Sequence, residues 1–401
     1  MNNRLDKRLD AIGESEWKDF ILGLQEKLNL KQLELLDKTG LKRDFHVSEW
    51  ISGKRIPIND KKLKFFKLAV KSGFKPKNLV KFGKNVRQSI LYNGKWISTK
   101  NAKALENAKG NLLIKDSEIY LNILRLFPLR KGKNLIKFVD RGQKVILFYD
   151  EKRSTRPIPL VLPKVLRLDE TFLVGLGIYL GEGSRNRHPK VTNSEPVIIN
   201  QAIKFFDLFG VERSRLKAWI QLHERSPKDF EEVREFWLKN TPLTDKNIVK
   251  IRIKKSSGNA QVKPFGVLHL EANFILLQLL IQRLMEVIPS ITKSIPSKQT
   301  IPFLQGVFAA EGSVELARSG SLREVRYTST RDEERELIKN LLEKLGIAVH
   351  EYKNGFELRV HGFENLKKLI EADIFRYHPL RNQKMKEGFD KLKLSKKFIE
   401  S

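Results

Sequence analysis

GIYLGEGS, Gly177 to Ser184, returns as GVFAAEGS, Gly306 to Ser313. Within each copy the small residues stand four apart, Gly177 with Gly181 and Gly306 with Ala310, so in a helix they share one face and let a second backbone approach closely. The residues between them, Ile178 to Leu180 and Val307 to Ala309, are mostly apolar. The spacing predicts two buried helices packed side by side. Each stops at a glycine, Gly183 or Gly312, suited to the left-handed backbone just past a helix end. The glutamates before those glycines resist a pure packing account. Glu182 and Glu311 fall at the negative end of the helix dipole, where a carboxylate is disfavoured by roughly 0.3 to 1 kcal/mol. Brought together, the two would also push each other's pKa apart or upward. A divalent cation removes both penalties, so the repeated acid points to a metal site.

The repeat continues past the helices. VTNSEPVIINQAIKFFDLFGV, Val191 to Val211, aligns with YTSTRDEERELIKNLLEKLGI, Tyr327 to Ile347. Each reads as a short strand followed by an amphipathic helix that ends at Gly210 or Gly346. Glu182 lies 28 residues before Gly210, and Glu311 lies 35 before Gly346, so a longer hairpin tip is expected after the second motif. GVLHLEANFILLQLLIQRL from Gly266 and GFELRVHGFENLKKLIE from Gly355 then add a strand and a helix to each copy. The unit is helix, hairpin, helix, hairpin, helix, occurring twice. A pseudo-twofold axis between the copies would pass beside Glu182 and Glu311.

On these residues the chain resembles the LAGLIDADG homing endonucleases in their single-chain, two-motif form, over about residues 160 to 390. The resemblance implies an α+β fold, a duplicated αββαββα endonuclease architecture with pseudo-twofold symmetry. It implies that Glu182 and Glu311 bind the catalytic metals, with the carbonyls of Gly181 and Ala310 as accessory ligands and Gly177, Gly181, Gly306 and Ala310 as the helix interface. It also implies that a saddle of strands grips a long, asymmetric duplex site. Leu180 and Ala309 replace the first Asp of the family motif, at a position that does not ligate metal. A basic residue is expected to assist near each metal, and Lys263, Arg381 and Lys384 are the candidates.

The chemistry fits independently of the resemblance. In-line phosphodiester hydrolysis needs an activated water and a stabilised leaving oxygen, which metals about 3.5 to 4 Å apart supply. Carboxylates and backbone oxygens suit a hard cation, and Mg²⁺ in particular uses only one or two carboxylates. Zinc is disfavoured: cysteine is absent and the seven histidines, His188, His223 and His378 among them, are scattered. Gly177-Ile178-Tyr179 has no Tyr-Ile-Gly following it, which argues against the nuclease class that opens with that tripeptide.

Charge points to the same kind of partner. Lys and Arg number 77 against 47 Asp and Glu, a formal charge of +30, which attracts polyanions and makes binding salt dependent. Lys61 to Leu105 holds thirteen basic residues, no acid, and interleaved aromatics including Phe65, Phe66, Tyr92 and Trp96. Such a run reads as phosphate-contacting surface, the alternative being a solvated face or tail. Just upstream, LKQLELLDKTGLKRDFHVSEWISGKRIPI, Leu30 to Ile58, resembles a helix-turn-helix of the Cro and repressor type, with its turn at Thr39-Gly40-Leu41. Its second helix would offer Lys42, Arg43, His46, Ser48 and Glu49 to the major groove, with Lys54 and Arg55 reaching phosphates. The same pattern also occurs as plain helix packing.

Length allows several domains. The expected division is an all-α helix-turn-helix domain at 1–90, a basic connector at 91–160, a first repeat at 161–295 and a second at 296–401. The connector includes a hairpin over Asn134 to Asp150, and Ser226 to Lys263 reads as an extra helix and strand within the first repeat. The longest apolar runs, about ten residues, are too short to span a bilayer. MNNRLDKRLD lacks a signal-peptide core, and zero cysteine fits an intracellular protein. With Met at its start and Glu400-Ser401 at its end, the chain reads as free-standing, not as an embedded intein. The expected function is a monomeric, Mg²⁺-dependent, site-specific endonuclease on double-stranded DNA, with no small-molecule substrate and no membrane partner. Two alternatives stay open: a DNA-binding regulator on a retired endonuclease fold, and an RNA-binding splicing helper.

Overall fold

The computed structural model describes residues 14–41, 49–50, 57, 59–74, 89–92, 95–98, 102–104, 112–115, 118–128, 130–131, 134–149, 159–184, 188–255, 262–352 and 355–400. Two compact units divide the chain, Met1–Glu106 with Pro128–Pro159, and Asn107–Phe127 with Leu160–Ser401. The stretch 91–160 is therefore shared between them.

In the first unit, helices Glu14–Leu28, Gln32–Thr39 and Asn59–Lys71 close on Trp17, Phe20, Leu24, Leu35, Trp50 and Phe65. Trp17 meets Phe65 edge-on at 5.5 Å between ring centroids. The second helix stops at Gly40, whose φ of 67° is the left-handed turn expected there, and Leu41 N donates to Leu36 O at 3.1 Å. Of the groove-facing residues expected from sequence, Lys42, Arg43, His46, Ser48, Lys54 and Arg55 lie outside the described residues. The same unit holds the hairpin of Asn134–Arg141 with Lys144–Tyr149. It turns at Gly142, where φ is 76° and the backbone N donates to Asp140 Oδ1 at 2.9 Å.

The second unit carries the duplication. Its first half runs α1 (Glu170–Glu182), β1 (Lys190–Asn193), α2 (Pro196–Leu208), β2 (Leu216–His223), α3 (Phe230–Asn240), β3 (Ile248–Lys254), β4 (Val267–Ala272) and α4 (Ile275–Ser294). The other half runs α5 (Ile301–Glu311), β5 (Gly312–Leu316), β6 (Leu322–Thr328), α6 (Asp332–Lys344), β7 (His350–Glu351), β8 (Glu357–His361) and α7 (Phe363–Glu371), followed by α8 (Pro379–Glu400). The second half is αββαββα with strand order β5-β6-β8-β7. Apart from the edge strands β3 and β7, the strands of each half alternate buried and outward residues, so that one sheet face is packed and the other is presented outward.

The first half departs from that plan twice. Its opening hairpin shrinks to one bridge, Gly183 to Val191, held by Ser184 N donating to Lys190 O at 2.8 Å. Its second hairpin, β2 with β4, is split by the extra helix and strand expected over 226–263. β3 returns parallel to β2, which requires a crossover connection, and α3 supplies it. The sheet order becomes β1-β4-β2-β3.

Two expectations need correction. Gly183 and Gly312 are not left-handed: their φ values are −80° and −77°. They are glycines because a Cβ at Gly183 would lie 2.2 Å from Tyr179 O, and one at Gly312 would lie 2.7 Å from a carbon of the Phe375 ring. The left-handed helix stops are Gly210 and Gly346, with φ of 66° and 71°. The apolar-run argument also fails, since α4 is a 20-residue helix long and apolar enough to cross a bilayer by length and composition. Gln278, Gln282 and Arg283 interrupt its apolar run without ending the helix. Leu276, Leu277, Leu280, Ile281, Leu284, Ile288 and Ile291 on it are buried in the core.

Candidate active site

The site begins with two helices in backbone contact. Asp169 caps α1, its Oδ1 accepting from Phe172 N at 2.9 Å, and Pro302 opens α5. A Cβ on Gly177 would sit 2.2 Å from Phe303 O, and one on Gly306 would sit 2.3 Å from Val174 O. Neither distance is possible, so only glycine admits this crossing. Further along, a Cβ on Gly181 would come 2.6 Å from Ala310 Cβ and 3.7 Å from Glu311 Oε1. The ends of α1 and α5 therefore meet, and the Glu311 carboxylate lies against the end of the other helix.

Glu182 is half-buried, and Glu311, though packed against the end of α1, stays open to solvent. Burial first, and then the charge of Glu311, push Glu182 up to about 7 against relief from Asn193 and Arg381. Glu311 is also raised, by burial first and by Glu334, while Arg381 opposes the shift. Asn193 Nδ2 donates to Glu182 Oε1 at 2.6 Å. Among the described residues, no cluster of three or more acid, histidine or cysteine side chains could hold a metal. The two carboxylates are near enough for the charge of Glu311 to act on Glu182, and such a pair of oxygen donors would suit a hard divalent cation completed by water.

Of the three basic candidates, Arg381 is the one whose charge acts on both carboxylates. Its Nη1 donates to Phe308 O at 3.3 Å, Ala309 O at 2.9 Å and Ala310 O at 3.3 Å, capping the end of α5. Lys384 instead donates to Val314 O at 2.6 Å. Lys263 is not among the charges acting on Glu182 or Glu311; it faces His378, which burial, Arg381 and Lys263 together depress to about 4. Sequence reasoning missed Asn193, although it follows the first motif directly in the phrase Val-Thr-Asn-Ser.

The outward sheet faces flank this site and differ in charge. On the first half a single ladder crosses all four strands. Thr192 Oγ1 lies 2.9 Å from His269 Nδ1, His269 stacks on Trp219 at 3.5 Å and 6°, and Arg252 covers Trp219 at 4.8 Å. Burial, with Lys190 and Arg252, holds His269 down at about 4, so its ring stays neutral and stacked. On the second half, Arg326 bonds Glu324 at 2.6 Å, and Arg359 bonds Glu357 at 2.6 Å and Glu324 at 3.5 Å.

Residues 299–372, from the turn before α5 to the end of α7, match the model of the LAGLIDADG-like domain. Among solved structures, the crystal structure of I-DmoI in complex with DNA and Mn is matched at 13% identity and a TM-score of 0.31. The match covers 52% of this chain and 97% of that chain. No curated protein matches. Residues 299–372 thus form a LAGLIDADG-like domain, and that domain carries the second of the two like helix ends.

Proposed function

We propose that this chain is a metal-dependent endonuclease that cuts both strands of a long, asymmetric DNA site. One observation carries the reading: two carboxylates end two helices in backbone contact, the charge of one acts on the other, and a single guanidinium, Arg381, serves them both. Glu182 and Glu311, with the carbonyls of Gly181 and Ala310, would hold Mg²⁺, and the bound cation would activate water and stabilise the leaving oxygen. Asn193 orients Glu182, and Arg381 offsets charge at Glu311. The flanking sheets would set the duplex over the carboxylates, and the protein would act on intracellular DNA as a monomer, its first unit adding helix-turn-helix contacts.

The test is incubation with a randomised duplex library and Mg²⁺, followed by sequencing of the ends, with the Glu182→Gln, Glu311→Gln double variant alongside. Recurrent ends at one motif, lost in the variant with DNA affinity kept within a few fold, are expected. Cutting that survives in the double variant would sink the metal assignment. The regulator reading has one observation in its favour: Arg381 already bonds the Ala310 carbonyl and places positive charge near Glu311 with no metal bound. Under that reading the protein binds duplex and leaves it whole.

A further inference from the structure

The two sheet faces differ in how many cations they leave available to a polyanion. On the first half, Lys190, Lys217, Lys250, Arg252 and Lys254 form no ion pair with a carboxylate among the described residues, and all but Lys190 are well exposed. Three of the five stand on β3, the strand that exists only because of the insertion. β3 pairs in parallel with β2, setting Lys250 beside Trp219, Arg252 beside Gln221 and Lys254 beside His223. Its basic residues thus continue the outward face by one strand. Arg252 is held in place by the stack of Trp219 on His269, which lowers the entropy lost when it meets a ligand.

The second half is the opposite case. Arg326 and Arg359 lie on β6 and β8, and each is engaged by Glu324, with Glu315 and Glu357 completing the set. Arg359 is additionally stacked 3.5 Å from the centroid of Tyr352. Two arginines facing three glutamates leave that face with no surplus positive charge. A phosphate approaching it would have to break charge-assisted hydrogen bonds already made.

Resting on the DNA-binding reading above, we infer that the halves grip duplex unequally: the first repeat, through its inserted strand β3, supplies most of the phosphate contacts, and Arg326 and Arg359 of the second repeat are withheld by their own glutamates. The insertion is then a phosphate-binding edge. The duplex over the first repeat is held by charge, and the duplex over the second is held by shape and by whatever base contacts its remaining side chains make.

The test uses the full chain and a fluorescein-labelled duplex of random sequence, with affinity measured by anisotropy across a salt series. Every phosphate neutralised by Lys or Arg adds about 0.9 to the slope of log affinity against log salt, and the rest of the chain adds a slope common to all variants. Lys250→Ala, Arg252→Ala and Lys254→Ala together are expected to lower the slope by about 2 to 3, whereas Arg326→Ala with Arg359→Ala lowers it by less than about 1. Glu324→Gln with Glu357→Gln should raise it by about 1, by releasing the arginines. The β3 residues are exposed, so loss of fold does not confuse the result, and a thermal melt of each variant checks this. An unchanged slope in the triple variant, or an equal loss in the arginine pair, overturns the inference and leaves the DNA reading standing. Failure of the unaltered protein to bind duplex overturns both.

Discussion

The first repeat and the second share their packing and divide their charge. At the helix crossing they are interchangeable: Gly177 meets the backbone at Phe303 and Gly306 meets it at Val174, each at a distance where a methyl group is excluded. At the acids they part. Glu182 is relieved first by a neutral amide, Asn193, and only then by Arg381, while Glu311 has the guanidinium of Arg381 as its main relief. The sheets repeat the contrast, with open cations on one face and closed ion pairs on the other. Backbone contact leaves one residue type possible, so duplicated helices must keep it. Electrostatic balance has many solutions, and the two halves have taken different ones.

The largest effects test the shared part. Gly177→Ala and Gly306→Ala should each destabilise the second unit by about 3 kcal/mol or more in urea unfolding, because the opposing atoms are backbone and cannot turn aside. Tolerance of alanine at one position and not the other would break the equivalence of the helices.

The next effects test the divided part. Glu182 has a folded pKa near 7 against an ordinary 4.5, so the folded, metal-free protein binds the proton more tightly than the unfolded chain. The stabilisation from that proton is complete below about pH 4.5 and is lost as pH rises through 7. Glu182→Gln should therefore be more stable than the parent by up to about 3 kcal/mol near pH 8, and equal to it below about pH 4.5. Glu311→Gln should gain less, since Arg381 is the main opposing influence at that carboxylate and the weakest one at Glu182. Thermal melts across pH read both, and Mg²⁺ added to the parent should narrow the gap. An equal gain from the two substitutions would remove the contrast.

Arg381→Met comes third. It leaves the carbonyls of Phe308, Ala309 and Ala310 without this donor and the carboxylates without their shared cation. The expected loss is about 2 kcal/mol near neutral pH, smaller in acid where the carboxyls are protonated. The smallest effect is Glu324→Gln, expected to cost about 1 kcal/mol in the same melts: Glu324 is buried, but the amide keeps an oxygen to accept from the arginines, and Glu315 and Glu357 still pair with them. A change of several kcal/mol there would make the ion-pair set a structural core of the second sheet.

Much of the second unit was legible in the sequence because its rules are local. Four-residue spacing of small side chains marked the helix crossing, and Gly210 and Gly346 marked where α2 and α6 stop. The sign of the glycines after the acids was misread because the deciding atoms, Tyr179 O and the Phe375 ring, are supplied by the folded packing, not by helix-end preference. Arg381 reaches α5 from about seventy residues downstream, a distance no spacing rule covers. The ion-pair set did leave a trace: Glu324-Val325-Arg326 and Glu357-Leu358-Arg359 put acid and base two apart, hence on one face of a strand. The collapse of the first hairpin into a single bridge also left one, the 28-residue interval from Glu182 to Gly210 against 35 from Glu311 to Gly346.

The strand β3 has one more consequence, for the behaviour of the protein in concentrated solution. It is the last strand of its sheet, and its own sequence alternates Val249, Ile251 and Ile253 with Lys250, Arg252 and Lys254. Val249 and Ile253 are about half exposed, at 50% and 48%. An open edge with such side chains is a template on which another chain could add a strand, and lysines along it are a common guard against that outcome. The same three cations that would meet phosphate therefore keep copies of this protein apart, and a variant that lacks them is one to handle dilute.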